Sequence, residues 1–206
     1  MEKQMQTSSL SNDIALILSR LGSQSITIVG LMGAGKSVIG RKVASKLKIP
    51  FVDADAEIEK AAKMTVADIF ASYGEPEFRR LEKSVIKRVL ESGPQILATG
   101  GGAYMDDETR AIIGQNGISL WLSADIDLLM QRVSKKTTRP LLRNPDPRGV
   151  MEDLINERYP VYGLADLEVA SQDVSKDEMT NNLISAIAEY MRQNQPAHIE
   201  NGARNR

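Results

Sequence analysis

Short apolar runs alternate with longer amphipathic stretches along this chain, and the alternation predicts an α/β fold. The first run, Ile26-Thr27-Ile28-Val29, is rich in β-branched side chains and predicts a buried strand. Behind it, residues 38–47 carry apolar side chains at 39, 43, 44 and 47, one face of a helix. Further strands are predicted at 51–52, 95–99, 118–122 and 167–170, and helices at 55–62, 66–72, 77–91, 106–115, 125–134, 149–157 and 177–192. Such alternation predicts three layers, α/β/α, with a central parallel sheet of about five strands. Residues 1–24 are polar apart from a patch of Leu10, Ile14, Ile17, Leu18 and Leu21, which predicts a helix-bearing N-terminal extension to a domain spanning 25–193. Residues 194–206 form a polar tail, expected to be disordered. One stretch breaks the rhythm: 135–148 holds three prolines, three arginines and two lysines with almost no periodicity. An irregular basic segment of that length inside a compact domain is expected to be functional or disordered, and here it predicts a mobile lid.

Composition narrows the chemistry. The chain has 206 residues and a net charge of −1, so nothing points to nucleic acid or to an anionic membrane surface. It has no cysteine, which removes disulfides, thiolate nucleophiles and zinc–cysteine sites and suits a reducing cytoplasm. Its single histidine, His198, stands in the polar tail, an exposed position that leaves no serine–histidine triad and no histidine-rich metal site. The apolar stretches are all shorter than a membrane span, and the N-terminal one lacks the basic start of a signal peptide.

The strongest chemical signal follows the first strand. Gly30-Leu31-Met32-Gly33-Ala34-Gly35-Lys36-Ser37 fits G-x-x-x-x-G-K-[ST], between a predicted strand and a predicted helix. In that context glycines let backbone N–H groups converge on phosphate oxygens, and the helix N-terminus adds favourable partial charge. Gly33, Ala34, Gly35 and Val38 would surround a nucleoside triphosphate, Lys36 would reach its β- and γ-phosphates, and Ser37 would ligate Mg2+. The same glycines make no dinucleotide fingerprint, because Val38 stands where the third glycine is needed.

Other residues gain meaning from where they fall. Asp53-Ala54-Asp55 follows the second strand, and ligands of open α/β sheets bind beyond strand carboxyl ends. One carboxylate could hold Mg2+ and the other a substrate hydroxyl; equally, an aspartate there could simply cap a helix. Thr99-Gly100-Gly101-Gly102 follows the third strand and permits either close ligand approach or a loose turn. Arg79, Arg139 and Arg158 stand in distinctive contexts, although most arginines only solvate a helix face; Arg80, Arg88 and Arg110 are assigned to solvent on that ground.

Taken together, these residues resemble the shikimate kinases, small P-loop enzymes of the nucleoside-monophosphate-kinase type. The resemblance runs from about Ile26 to Tyr190 and adds Phe78-Arg79 with Glu82, Arg139-Pro140-Leu141-Leu142 and Glu157-Arg158-x-Pro160-x-Tyr162 to the motifs above. It implies a P-loop kinase fold with a mobile lid and ATP-dependent phosphorylation of the shikimate 3-hydroxyl, a step towards chorismate and the aromatic amino acids. It further implies that Asp55 orients or deprotonates the hydroxyl and that Asp53 and Ser37 hold Mg2+. Arg79 and Arg158 would clamp the carboxylate, with Gly101 contacting substrate through its backbone. Arg139 would swing from the lid onto the phosphates, Arg132 would lie near the adenine, and Glu82 would support the arginines. A loose phosphoryl-transfer transition state asks for positioning more than basicity, so a solvent-accessible Asp55 of ordinary pKa would serve. The segment 170–178, expected to wrap the adenine, lacks the proline often found there, so no residue is assigned to that contact. The partners implied are shikimate and ATP, and a monomer is the default.

Three rival readings remain open to comparison with the residues. A gluconate kinase would share the nucleotide site and is disfavoured only by motif detail. A GTP switch should carry Asn-Lys-x-Asp, and no Asn-Lys pair occurs. An inactive relative would not be expected to keep Lys36, Ser37, Asp53, Asp55 and the three arginines.

Overall fold

A computed structural model describes residues 2–135 and 144–194, with side chains from residue 8 onward. Five strands, β1 (Ser25–Val29), β2 (Phe51–Asp53), β3 (Ile96–Ala98), β4 (Gly117–Ser123) and β5 (Leu167–Ala170), form one parallel sheet in the order β2-β3-β1-β4-β5. Around it stand α1 (Glu2–Leu21), α2 (Lys36–Leu47), α3 (Ala54–Ala62), α4 (Val66–Leu90), α5 (Asp107–Asn116), α6 (Ile126–Ser134), α7 (Pro147–Tyr162) and α8 (Lys176–Gln193). Every residue of the central β1 is buried, as expected of a parallel strand covered on both faces, whereas the edge strand β5 alternates half-buried and exposed positions. The predicted face of α2 is the buried one, with Ile39, Val43, Ala44 and Leu47 against the sheet.

Several boundaries move for local reasons. The helices expected at 66–72 and 77–91 abut as α4, broken at Gly74 (φ 77°) just before Pro76. Helix α7 outruns the predicted 149–157 at both ends. Pro147 sits in its first turn, where a missing N–H costs nothing, and the Asp146 side chain accepts from Gly149 N at 2.9 Å. Arg158 is thereby carried on the helix. A 3-10 turn, Ala103–Met105, which the sequence pattern does not signal, precedes α5.

The N-terminal segment is not separate from the core. Ile17 and Leu21 of α1 are buried in the common apolar cluster, and α1 lies along α8, where buried Asp13 pairs with Arg192 and accepts from Ser185 Oγ at 2.9 Å. Removing residues 1–20 takes away Ile17, whose burial contributes about 2–3 kcal/mol, and uncovers Leu21. The truncated chain should therefore melt roughly 5–10 °C lower. An unchanged midpoint in thermal unfolding would restore the picture of a detached extension.

Of the predicted lid, Lys135 ends α6 and Pro147 and Arg148 open α7, while residues 136–143, Arg139 among them, lie outside the described residues, as do His198 and nearly all of the tail. No helix among the described residues is long and apolar enough to cross a membrane.

Candidate active site

A cleft of about 600 Å3 opens where the strands end, lined by the loops after β1, β2, β3 and β5. Its first wall is the glycine loop. Gly35 adopts φ 106°, a left-handed conformation that side chains disfavour, and this turn delivers the chain into α2, whose first residues Lys36, Ser37 and Val38 line the cleft. Lys36 Nζ is held by Gly30 O at 2.7 Å and Leu31 O at 3.1 Å, and Val38 is exposed at the cleft rim.

Ser37 Oγ donates to Asp53 Oδ2 at 2.7 Å. Asp53 occupies the cap position of α3, yet its side chain caps nothing there, so helix capping does not explain it. Two oxygen donors so close together suit Mg2+, which takes one or two protein oxygens and completes its shell with phosphate and water. No group of three or more His, Cys, Asp or Glu side chains placed to hold a metal occurs among the described residues.

Asp55 lies in the first turn of α3 and is exposed to the open cleft. Protein surrounds it on the other sides, and this loss of hydration, followed by the charge of Asp53, pushes its carboxyl above the usual value of 3.8. Lys36 pulls it down, Glu59 adds to the rise and Arg79 opposes it. The expectation of a solvent-accessible carboxylate holds, whereas that of an ordinary pKa does not.

The opposite wall is the triple glycine, and its purpose is close approach. A Cβ on Gly100 would stand 2.8 Å from Glu82 Oε1 and 2.9 Å from Asp55 Oδ1. One on Gly102 would run into the Arg79 guanidinium, and one on Gly101 would lie 3.4 Å from Arg158 Nη1. The bare backbone thus lets two carboxylates and two guanidinium groups gather around one turn. Arg79 Nη1 donates to the buried Glu82 Oε2 at 2.6 Å, and Arg79 Nη2 donates to Glu75 at 2.9 Å. Asp55, Gly101 and Arg158 line the cleft; Arg79 packs behind Gly102 rather than on the wall itself.

At the far end Arg132 ties two loops together. Its Nη1 donates to Ala34 O at 3.1 Å and Ser171 Oγ at 2.8 Å, and its Nη2 to Gln172 O at 2.8 Å. Ser171, Gln172, Asp173 and Val174 line the cleft here, with Lys176 and Met179 of α8. No individual residue here is assigned from the sequence, but all except Met179 fall in the segment 170–178 that the resemblance expects to wrap the adenine. Arg110, assigned to solvent, instead keeps only 19% of its side chain exposed, lying over the Tyr104 ring and donating to Tyr104 O at 2.6 Å. Arg80 and Arg88 are exposed, as expected, and pair with Glu77 and Glu57.

A phosphate-binding loop, a metal-suited oxygen pair, a carboxylate of raised pKa and a guanidinium therefore share one cleft, an arrangement able to bring a phosphorylated nucleotide and an anionic, hydroxylated molecule together. Comparison with known proteins agrees with this chemistry. The family model described as shikimate kinase matches residues 32–188. A shikimate kinase of Brucella canis is 57% identical over 177 residues, covering 86% of this chain and 88% of that protein. One of Mesorhizobium japonicum is 54% identical, over 86% of this chain and 87% of the relative. Among solved structures, shikimate kinase from Acinetobacter baumannii in complex with shikimate matches with a TM-score of 0.75 and 32% identity, over 84% of this chain and 95% of that one. Motifs, fold and relatives converge, and the chain belongs to the shikimate kinase family.

Proposed function

We propose that this enzyme transfers the γ-phosphoryl group of ATP to the 3-hydroxyl of shikimate, giving shikimate 3-phosphate and ADP, a step towards the aromatic amino acids. One observation carries the reading: Asp55, Lys36, Ser37 and Arg158 line a single cleft, so an acceptor hydroxyl and a triphosphate can meet between them. Family membership supplies the acceptor and the donor.

In this reading the N–H groups around Gly33, Ala34, Gly35 and Val38 hold the β- and γ-phosphates, and Lys36 moves from its loop carbonyls onto them. Ser37 and Asp53 would hold Mg2+, which offsets phosphate charge when bound. The acceptor carboxylate is clamped by Arg158 and Arg79, with Glu82 and Glu75 aligning Arg79 and the Gly101 backbone touching the ring. Asp55 accepts a hydrogen bond from the 3-hydroxyl. As that oxygen bonds to the γ-phosphorus and the bridging oxygen leaves with ADP, Asp55 takes the proton. Arg132 keeps the phosphate loop and the segment 171–174 in register around the nucleoside. Arg139, assigned by resemblance alone, would close over the phosphates and exclude water, which otherwise competes as acceptor. The enzyme acts on small molecules in the cytoplasm as a monomer, without nucleic acid or membrane.

A coupled ADP-release assay with ATP and Mg2+ tests the whole reading. Turnover should depend on shikimate, with little ADP released when no acceptor or gluconate is supplied. Turnover with gluconate alone would overturn the acceptor while keeping the nucleotide site.

A further inference from the structure

Tyr162 closes α7 and is, among the described residues, the largest of the wholly buried side chains. Its ring packs among Trp121, Tyr159 and Tyr104 at centroid distances of 6.1, 6.3 and 6.5 Å. Phenylalanine would fill such a place equally well, so the hydroxyl asks for a separate explanation. That hydroxyl donates to Gly101 O, the middle carbonyl of the glycine turn. The Arg158 guanidinium, one helical turn earlier, faces the same hydroxyl and draws its pKa down, against the burial that lifts it to about 12. The phenol therefore keeps its proton, and remains a donor, throughout the neutral range.

The three groups meet around one point. A Cβ on Gly101 would stand 3.4 Å from Arg158 Nη1 and 3.7 Å from the Tyr162 hydroxyl. Among the described residues, Arg158 Nε is buried without a hydrogen-bond partner. Gly101 belongs to the loop after β3 and Arg158 to α7, far apart in the chain, and the hydroxyl spans the gap between them.

We propose that the Tyr162 hydroxyl is a positioning group that sets the spacing between the Gly101 backbone and the Arg158 guanidinium, and with it the seat of the acceptor carboxylate. Its influence on turnover passes through Arg158 and Gly101 and touches neither ATP nor the reacting oxygen. The inference rests on the reading of shikimate as acceptor.

The test is steady-state kinetics of Tyr162→Phe beside the wild-type enzyme, with thermal unfolding of both. The phenyl ring preserves the packing, so the midpoint should move by only a few degrees. KM for shikimate should rise about three- to tenfold, the loss of one hydrogen bond, while kcat and KM for ATP stay within about twofold. In an Arg158→Ala background the same substitution should have almost no further effect on KM for shikimate, because the group it positions is gone. An unaltered KM for shikimate, or full additivity with Arg158→Ala, overturns the proposal. So does a joint rise of both KM values with a large fall in the melting midpoint, which would mark Tyr162 as packing alone. A wild-type enzyme that ignores shikimate would instead remove the acceptor assignment, and the proposal with it, before any variant is compared.

Discussion

Asp55→Asn should lower kcat by about 10²–10⁴-fold while leaving ATP affinity and the fold nearly unchanged. The asparagine keeps the shape of the side chain and its place on α3 but cannot take the hydroxyl proton. The pH dependence sharpens the expectation. Asp55 must be ionised to accept that proton, and the loss of hydration on its protein side, together with Asp53, raises its carboxyl above 3.8. The wild-type rate should therefore fall on the acid side at a pH above that value, and the residual rate of the variant should lack this limb. Stability has the opposite sign. A carboxyl raised in the folded state holds its proton more tightly there than in the unfolded chain, so its contribution is complete below the ordinary value and is lost as pH rises through the folded one. At neutral pH the asparagine variant should melt no lower than the wild type. Full activity in the variant would overturn the role of Asp55.

Arg79→Ala should raise KM for shikimate about 10- to 100-fold and leave KM for ATP nearly unchanged, because a charge-assisted, two-pronged contact to a carboxylate is lost only at the acceptor end. A second cost falls on Glu82. This carboxylate keeps only 3% of its side chain exposed, its Oε1 has no hydrogen-bond partner among the described residues, and burial already raises its pKa against the pull of Arg79. Without the arginine it would be a buried charge with no counter-ion, or a proton-bound acid, and either destabilises the fold. Adding Glu82→Gln should recover the melting temperature without recovering KM, which separates support from substrate contact. Equal effects on both KM values would show the carboxylate clamp to be misassigned.

Much of this was legible along the chain because the informative signals are local. The central strands, buried on both faces, read as apolar runs, and all five strands of the sheet lie within a residue or two of their predicted ends. The phosphate loop is one continuous segment whose spelling carries its own mechanism, and Asp53 and Asp55 stand directly at a strand end. Arg110 went astray because burial depends on which ring the helix happens to cross, here that of Tyr104. The ends of α7 went astray because a proline tolerated in the first or last turn looks, in isolation, like a break.

What the sequence by itself determined is the class of fold, the phosphate site and the residue types available for transfer, each written in short-range pattern. Tertiary structure decided what those residues meet. It turned Asp53 from a possible cap into a partner of Ser37 and made the triple glycine a gap through which Asp55, Glu82, Arg79 and Arg158 converge. It also brought Ser171 to Val174 into the cleft and set α1 into the core beside α8. The physical reason is that burial, charge proximity and steric clearance are properties of segments far apart in the chain and close in space, and only the packing of the sheet and its helices gives them values.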